Sequence, residues 1–123
     1  METIFEINRR RTFNAEQVDE VLPLIYRITE VSSREVQSLI NRMDALNGQN
    51  EKAILEIEGE INEVISKWQA KVEKLGGLPK GLWIADFDSG EGYYCWKFPE
   101  LQIQYWHGYQ DGFTGRRKIE TCE

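Results

Sequence analysis

Hydrophobic residues in the first half of the chain follow a helical period. From Val18 they recur at steps of three and four residues, which is the stripe of an amphipathic helix. Asn14 is suited to cap the helix, and Gln17 three residues later completes a capping-box pattern. Gly48 is typical of the helix end. The predicted stripe consists of Val18, Leu22, Ile25, Ile28 or Thr29, Ser32, Val36, Leu39, Met43 and Leu46.

A second stripe with the same spacing follows a loop of about four residues. Asn50 is suited to cap this helix, and Gly76 closes it. Two long helices with so short a connection lie antiparallel, so the pattern predicts a helical hairpin over about 15–76. Pro23 lies inside the first helix and lacks a backbone N–H, which predicts a bend near it.

After residue 81 the hydrophobic pattern alternates, which is typical of strands. We expect strands at about 82–87, 93–98 and 101–107, with a C-terminal loop to about 119. The N-terminal "TIFEI" is a further candidate edge strand. The predicted fold class is α+β: one domain over 1–123, with a long antiparallel helical hairpin packed on a small antiparallel β-meander of three to four strands.

The turn "FPEL" predicts a tight hairpin that pairs Phe98 with Leu101. If Phe87 pairs with Tyr93, the alternation places two sets of side chains on opposite faces. The face towards the helices would hold Leu82, Ile84, Asp86, Tyr94, Trp96, Phe98, Leu101, Ile103 and Tyr105. The outer face would hold Trp83, Ala85, Phe87, Tyr93, Cys95, Lys97, Gln102, Gln104 and Trp106.

Composition narrows the classes of function. A net charge of −6 disfavours nucleic acid and anionic membranes as partners. The N-terminus lacks the pattern of a signal peptide, and no apolar run approaches the roughly 18 residues of a membrane span. These features predict a soluble, cytoplasmic protein. Cys95 and Cys122 form neither a disulfide framework nor a Cys-x-x-Cys motif, so both are expected to be reduced thiols.

Four aromatic residues are predicted on the sheet face away from the helices. Trp83, Phe87, Tyr93 and Trp106 would form an exposed patch there, and large exposed apolar patches usually mark interfaces. The leading hypothesis is a self-associating interaction or structural module, a homo-dimer formed through this patch or through the helical hairpin. A different protein partner is also compatible with such a surface.

A second hypothesis is a small-ligand or anion-binding site, with catalysis as an open question. Asp86 and His107 are predicted near one end of the sheet, and a carboxylate that orients a histidine is common in catalytic and metal sites. Arg116 follows a glycine-rich segment that is suited to hold an anion. The pattern identifies no cofactor and no substrate, and a satisfied structural pair is the plainer interpretation of Asp86 and His107.

Metal binding is a third hypothesis that the predicted register opposes. The single histidine and scattered carboxylates lack a His-Glu-x-x-His or paired-cysteine motif. Cys95 is predicted on the face opposite to Asp86 and His107, so no metal site is assigned. A nucleophilic Cys95 with His107 as its base fails on the same geometry unless the register slips by one residue.

Several motifs together resemble one family. The segments "RTFNAEQVDEVLPLI", "GLWIADF", "YYCWKFPELQIQYWHG" and "DGFTGRR" are similar to the small prokaryotic proteins of domain-of-unknown-function family 2203. The resemblance implies no activity. It implies that a shared site would involve Asp86, Cys95, Trp96, His107 and Arg116. The position after the histidine, often acidic in that family, is glycine in this chain.

Overall fold

Two long helices and a five-stranded antiparallel sheet make up the fold. The computed structural model describes residues 12–119, so the predicted edge strand at "TIFEI" and Cys122 lie outside it. The helices are α1 (Ala15–Asp44) and α2 (Glu51–Lys74); the strands are β1 (Leu78–Gly81), β2 (Ile84–Asp88), β3 (Tyr93–Lys97), β4 (Tyr105–His107) and β5 (Arg117–Lys118). The predicted α+β class is confirmed, with five strands rather than three to four.

The start of α1 is specified by local chemistry and tied to the sheet. The Asn14 side chain accepts the backbone N–H of Gln17, and the Gln17 side chain accepts that of Asn14, which is the predicted capping box. The preceding residue, Phe13, donates its backbone N–H to Asp88 O and packs its ring 5.4 Å from Phe87. Helix α1 is thereby fixed at the end of β2.

The helices pack against one face of the sheet and against each other. The buried stripe of α1 agrees with the predicted one, and Asn50 caps α2 as predicted. Helix α1 runs continuously through Pro23. The core cluster of buried residues comprises Phe13, Val18, Leu22, Ile25, Trp68, Val72, Ala85, Phe87 and Trp96. Burial of these large apolar side chains supplies the main stabilising free energy of the fold.

The five strands form a meander in sequence order, each antiparallel to the next. The first strand was not predicted because "LPKG" contains proline and glycine and does not alternate. Between β1 and β2, Leu82 and Trp83 form the turn, and Trp83 has a positive φ of 62°. In the segment predicted as a C-terminal loop, β5 pairs with β4.

The predicted register is wrong by one residue in both hairpins around β3. Phe87 pairs with Tyr94 rather than Tyr93, and Cys95 pairs with Tyr105 rather than Gln104. Turn geometry explains both shifts. Ser89 N–H donates to Gly92 O at 2.7 Å, which closes a four-residue turn and leaves Asp88 in β2.

The second shift follows from the end of β3. The Glu100 carboxylate accepts the backbone N–H of Lys97 at 2.9 Å, and Glu100 N–H donates to Lys97 O at 2.8 Å. Pairing of β3 with β4 therefore begins only at Tyr105, after a loop over 98–104, rather than directly at "FPEL". One residue of slip exchanges the faces: Ala85 and Phe87 turn to the helices, and Asp86 turns away from them.

The predicted aromatic patch does not form a single surface. Phe87 is fully buried in the core, and Trp83 packs edge-on against Trp68 of α2 at 5.0 Å. Tyr93 lies beside His107, whereas Trp106 pairs with Tyr94 and so faces the opposite side. These residues therefore give no common contact face for self-association. Over the part of the chain that the structure describes, neither helix is apolar enough to cross a membrane.

Two consecutive buried hydrogen bonds connect α2 to α1 and give the first prediction about stability. Trp68 Nε1–H donates to Thr29 Oγ1 at 2.8 Å, and Thr29 Oγ1–H donates to Ile25 O at 2.7 Å. Thr29→Val keeps the volume but leaves the indole N–H unpaired, so we expect a loss of about 1–3 kcal/mol in the free energy of unfolding. Urea unfolding followed by circular dichroism measures it. Ser33→Ala is the control, since the Ser33 hydroxyl donates to Glu30 O within its own helix turn and takes no part in the Trp68 contact. An unchanged Thr29→Val midpoint would contradict the assignment.

A glycine pair tests the observed register. A Cβ at Gly92 would collide with the Trp106 ring and stand 2.7 Å from His107 O. Gly92→Ala should therefore lower the free energy of unfolding by about 1–3 kcal/mol. Gly59→Ala, at an exposed position of α2 with nothing within 4 Å, should raise it by about 0.5–1 kcal/mol. Equal stability of Gly92→Ala and the wild type in the same urea titration would show that Trp106 does not lie over this turn.

Candidate functional site

Three chemically reactive side chains converge on the sheet face away from the helices. Asp86 in β2 pairs with Cys95 in β3, and directly paired residues point to the same face. His107 in β4 lies on that face because its partner is Tyr93, two residues from Cys95. Donor atoms of Asp86, Cys95 and His107 all lie within 4.8 Å of one another. The residues are 2%, 0% and 2% exposed.

The proximity expected for Asp86 and His107 is present as a direct contact. His107 Nε2 lies 3.0 Å from Asp86 Oδ2, and His107 Nδ1 lies 2.8 Å from Gly108 O. A carbonyl oxygen only accepts hydrogen bonds, so Nδ1 carries a proton. One further proton is then shared between Nε2 and Oδ2, and the imidazole is held with Nε2 towards the carboxyl group.

Asp86 is incompletely satisfied. Its Oδ1 is buried and has no hydrogen-bond partner among the described residues. Burial raises the pKa of the Asp86 carboxyl above its ordinary value, although His107, Cys95 and Lys80 act in the opposite direction. Buried polar atoms are nearly always paired, so an orphaned carboxylate oxygen needs an explanation.

Cys95 is held as a thiol rather than a thiolate. Burial, reinforced by the neighbouring Asp86, raises the pKa of Cys95 to about 12. Arg116 acts against this rise. Its guanidinium lies over Tyr105, the strand partner of Cys95, and so on the same side of β3 as Cys95. A protonated, fully buried thiol is a poor nucleophile, so the geometry does not favour covalent catalysis by Cys95.

Arg116 is committed to partners within the protein. Its two terminal nitrogens donate to the Glu100 carboxylate at 3.2 and 2.7 Å, and its guanidinium lies 3.9 Å from the Tyr105 ring centroid and 4.3 Å from that of Phe113. Burial lowers the pKa of Arg116, but the hydrogen bonds and charge of Glu100 outweigh burial and raise it overall. Arg116 therefore fixes the C-terminal segment over the sheet and does not present a free charge to an anion.

A cavity of about 200 Å³, which we call the polar cavity, adjoins the Asp86–His107 pair. Its wall includes residues that sequence reasoning did not assign to a site, above all Lys80 and Tyr109. Lys80 lies on strand β1, which the hydrophobic pattern does not predict, and Lys80 was therefore not recognised as a site residue. The lining consists of Lys80, Ile84, Asp86, Tyr93, His107, Tyr109, Gly112 and Phe113.

Trp96 does not join these residues. It is fully buried on the opposite face of β3, in the core against the helices, and donates its indole N–H to Glu100 O at 2.7 Å. Trp96 and Arg116 thus both anchor Glu100. Of the five residues that the resemblance implied, Asp86, Cys95 and His107 form the cluster, Arg116 lies beside it and Trp96 lies across the sheet.

A larger cavity of about 720 Å³ lies between α1 and residues 101–103. Among the residues described, Asp19 is the carboxylate in its wall, and it is exposed to solvent. Binding sites combine enclosure with a few convergent polar groups, often with shifted pKa values. The smaller polar cavity meets that description better than the larger one.

Comparison with known proteins agrees with this architecture but assigns no activity. Neither a curated protein nor a solved structure matches the chain significantly. A family model described as an uncharacterised conserved protein matches residues 11–119, which include both helices, all five strands and the Asp86–Cys95–His107 cluster. The chain therefore belongs to the DUF2203 family.

Proposed function

We propose that the protein binds a small polar molecule in the polar cavity. One observation carries the proposal: the cavity wall contains the buried Asp86–His107 pair, in which Asp86 Oδ1 has no hydrogen-bond partner among the described residues. A ligand that donates a hydrogen bond to Asp86 would offset the cost of burying that oxygen.

The size and lining of the cavity narrow the class of ligand. A cavity volume of about 200 Å³ is below the roughly 300–1,000 Å³ of pockets that hold drug-sized ligands, so the ligand is small. Tyr93, Tyr109 and Phe113 supply aromatic walls, and Lys80 supplies a positive charge 5.5 Å from the Tyr93 ring centroid. These groups favour a compact molecule that carries an anionic group for Lys80 and a donor for Asp86.

Native mass spectrometry of protein purified gently without chelator tests this proposal. We expect an added small-molecule mass that is lost on denaturation. Lys80→Glu reverses the charge at an exposed residue of the cavity wall and should reduce the bound fraction at least tenfold, while His107→Ala should abolish it. Lys67→Glu changes the same charge on the exposed surface of α2 and should leave the bound fraction unchanged.

Circular dichroism separates binding from folding in these variants. His107→Ala leaves Asp86 without its hydrogen-bond partner, so its spectrum is needed beside the mass measurement. Lys80→Glu changes an exposed side chain and removes no hydrogen bond of the Asp86–His107 pair, so it carries the test if His107→Ala is unfolded. Wild-type protein without added mass, or equal occupancy in Lys80→Glu and Lys67→Glu, would contradict the proposal.

Self-association through the helical hairpin is the second candidate function. It is supported by hydrophobic side chains left exposed on the helices: Leu24 and Val31, seven residues apart on α1, are 50% and 47% exposed, and Leu55 on α2 is 62% exposed. Residues seven apart share one helix face, which is the spacing of a coiled-coil contact. The partner proposed for this surface is a second copy of the chain.

Light scattering coupled to size-exclusion chromatography tests the dimer. We expect twice the chain mass for the wild type and the monomer mass for the double variant Leu24→Lys, Val31→Lys, because two desolvated ammonium groups oppose an apolar contact. Asp44→Lys is the control, since it changes charge at an exposed residue of the same helix that lies on a different side from Leu24 and Val31. A monomeric wild type at the highest concentration tested would refute self-association.

A further inference from the structure

The Asp86–Cys95–His107 cluster combines three donor types that metal ions use. It offers a carboxylate oxygen, a thiol sulfur and an imidazole nitrogen, each from a different strand of a hydrogen-bonded sheet. Rigid strands hold ligands more accurately than loops do. The predicted register separated Cys95 from the other two residues, and the observed register removes that objection.

The hydrogen bonds of His107 direct its Nε2 towards Asp86, the position that a metal-binding nitrogen would need. Metal-binding histidines almost always donate the other ring N–H to a carbonyl or carboxylate, which fixes the tautomer. Here Nδ1–H donates to Gly108 O, and Nε2 is directed towards Asp86 Oδ2. One ligand atom from each of Asp86, Cys95 and His107 lies within 4.8 Å of the other two. This arrangement selects Nε2 as the donor atom.

The second observation is the orphaned oxygen of Asp86. A carboxyl group that is 2% exposed, with Oδ1 unpartnered among the described residues, carries unused acceptor capacity inside the cluster. A cation would offset the desolvation of Asp86. It would also stabilise the Cys95 thiolate, since a coordinating thiol is deprotonated by its metal.

We infer that Asp86, Cys95 and His107 bind one divalent transition-metal ion of the zinc type. The inference goes beyond the proposed function: it places an ion at the Asp86–Cys95–His107 cluster beside the polar cavity, and metal and small molecule are tested separately. Mixed sulfur, nitrogen and oxygen donors suit Zn²⁺ and Co²⁺, whereas Mg²⁺ and Ca²⁺ require oxygen ligands.

Distances and exposure are compatible with a three-ligand site. Ligands about 2.0–2.3 Å from a tetrahedral ion stand roughly 3.3–3.6 Å apart. The present donors lie within 4.8 Å of one another, with Nε2 and Oδ2 3.0 Å apart, so the widest pair would have to close by up to about 1.2 Å to hold an ion. Asp86 and His107 line the polar cavity and Cys95 does not, so the fourth position opens into the cavity. An open fourth position distinguishes catalytic from structural zinc sites.

Binding releases the thiol proton of Cys95 and the proton shared by Asp86 and His107. The sulfur, nitrogen and carboxylate lone pairs then form the three bonds to the ion, which remains in its +2 state. The released protons pass to solvent or buffer, so metal affinity decreases as the pH falls. Arg116, whose charge is compensated by Glu100, stays beside the thiolate.

Titration with Co²⁺, followed by competition with Zn²⁺, tests the inference on the full chain after treatment with EDTA. We expect one Co²⁺ per chain, with a near-ultraviolet thiolate-to-cobalt charge-transfer band that Zn²⁺ abolishes. Cys95→Ser should remove the band and weaken Zn²⁺ binding more than about tenfold, since loss of an outer-sphere contact alone costs 10–100-fold. Asp86→Asn should weaken Zn²⁺ binding similarly.

The second cysteine supplies the matched control. Cys122→Ser removes the other thiol of the chain and should retain both the band and the stoichiometry. Absence of Co²⁺ and Zn²⁺ binding at millimolar metal, or binding that Cys95→Ser and Asp86→Asn leave unchanged, would overturn the inference. If Cys95→Ser does not fold, the wild-type and Cys122→Ser spectra still decide, because a charge-transfer band in both requires Cys95.

The same samples distinguish the two proposals. An organic mass bound to EDTA-treated protein that takes up no metal would leave the proposed function standing and refute the metal site. One Zn²⁺ per chain without any organic mass, in cell-derived or metal-loaded protein, would support the metal site and refute the proposed small-molecule function.

Discussion

The register of β3 against its two neighbours is the constraint on which the site depends. Side chains alternate along a strand, so one residue of slip would exchange every side chain between the core and the opposite face. The observed register buries Phe87 and Trp96 against the helices and brings Asp86, Cys95 and His107 together on the other face. Apolar burial on one face therefore determines the placement of polar groups on the other.

The second face is closed by the chain that follows β4. Arg116 lies over Tyr105, pairs with Glu100 and so ties the C-terminal segment to the end of β3. Tyr109 donates its hydroxyl to Asp88 and packs 5.0 Å from Tyr93. These contacts exclude water from the cluster but leave the polar cavity beside it. Low solvent access strengthens electrostatic interactions there and raises the cost of each unpaired group, which is why Asp86 Oδ1 is informative.

Local sequence signals predicted the helices well and the sheet register poorly. The capping box at Asn14 and the three-and-four spacing of α1 are properties of neighbouring residues, so they could be recognised without the fold. The register depends on turns closed by Ser89 and Glu100, whose bonding partners a pattern of alternation does not reveal. An error of one residue was enough to place Asp86 and Phe87 on the wrong faces and to separate Asp86 from Cys95. The proximity of Asp86 and His107 was predicted from the sequence. The structure was needed to show that both lie on the face away from the helices and that Cys95 is their neighbour. It was also needed to place Lys80, which lies on a strand that was not predicted.

The single histidine of the chain makes the central claim directly measurable. A long-range ¹H–¹⁵N correlation spectrum of uniformly labelled protein reports which imidazole nitrogen of His107 is protonated, before and after one equivalent of Zn²⁺. Our account predicts a protonated Nδ1 that stays protonated and an Nε2 resonance that shifts on metal addition. A protonated Nε2 with a bare Nδ1, or a spectrum that Zn²⁺ leaves unchanged, would contradict the assignment of Nε2 as a ligand held by Gly108 and Asp86.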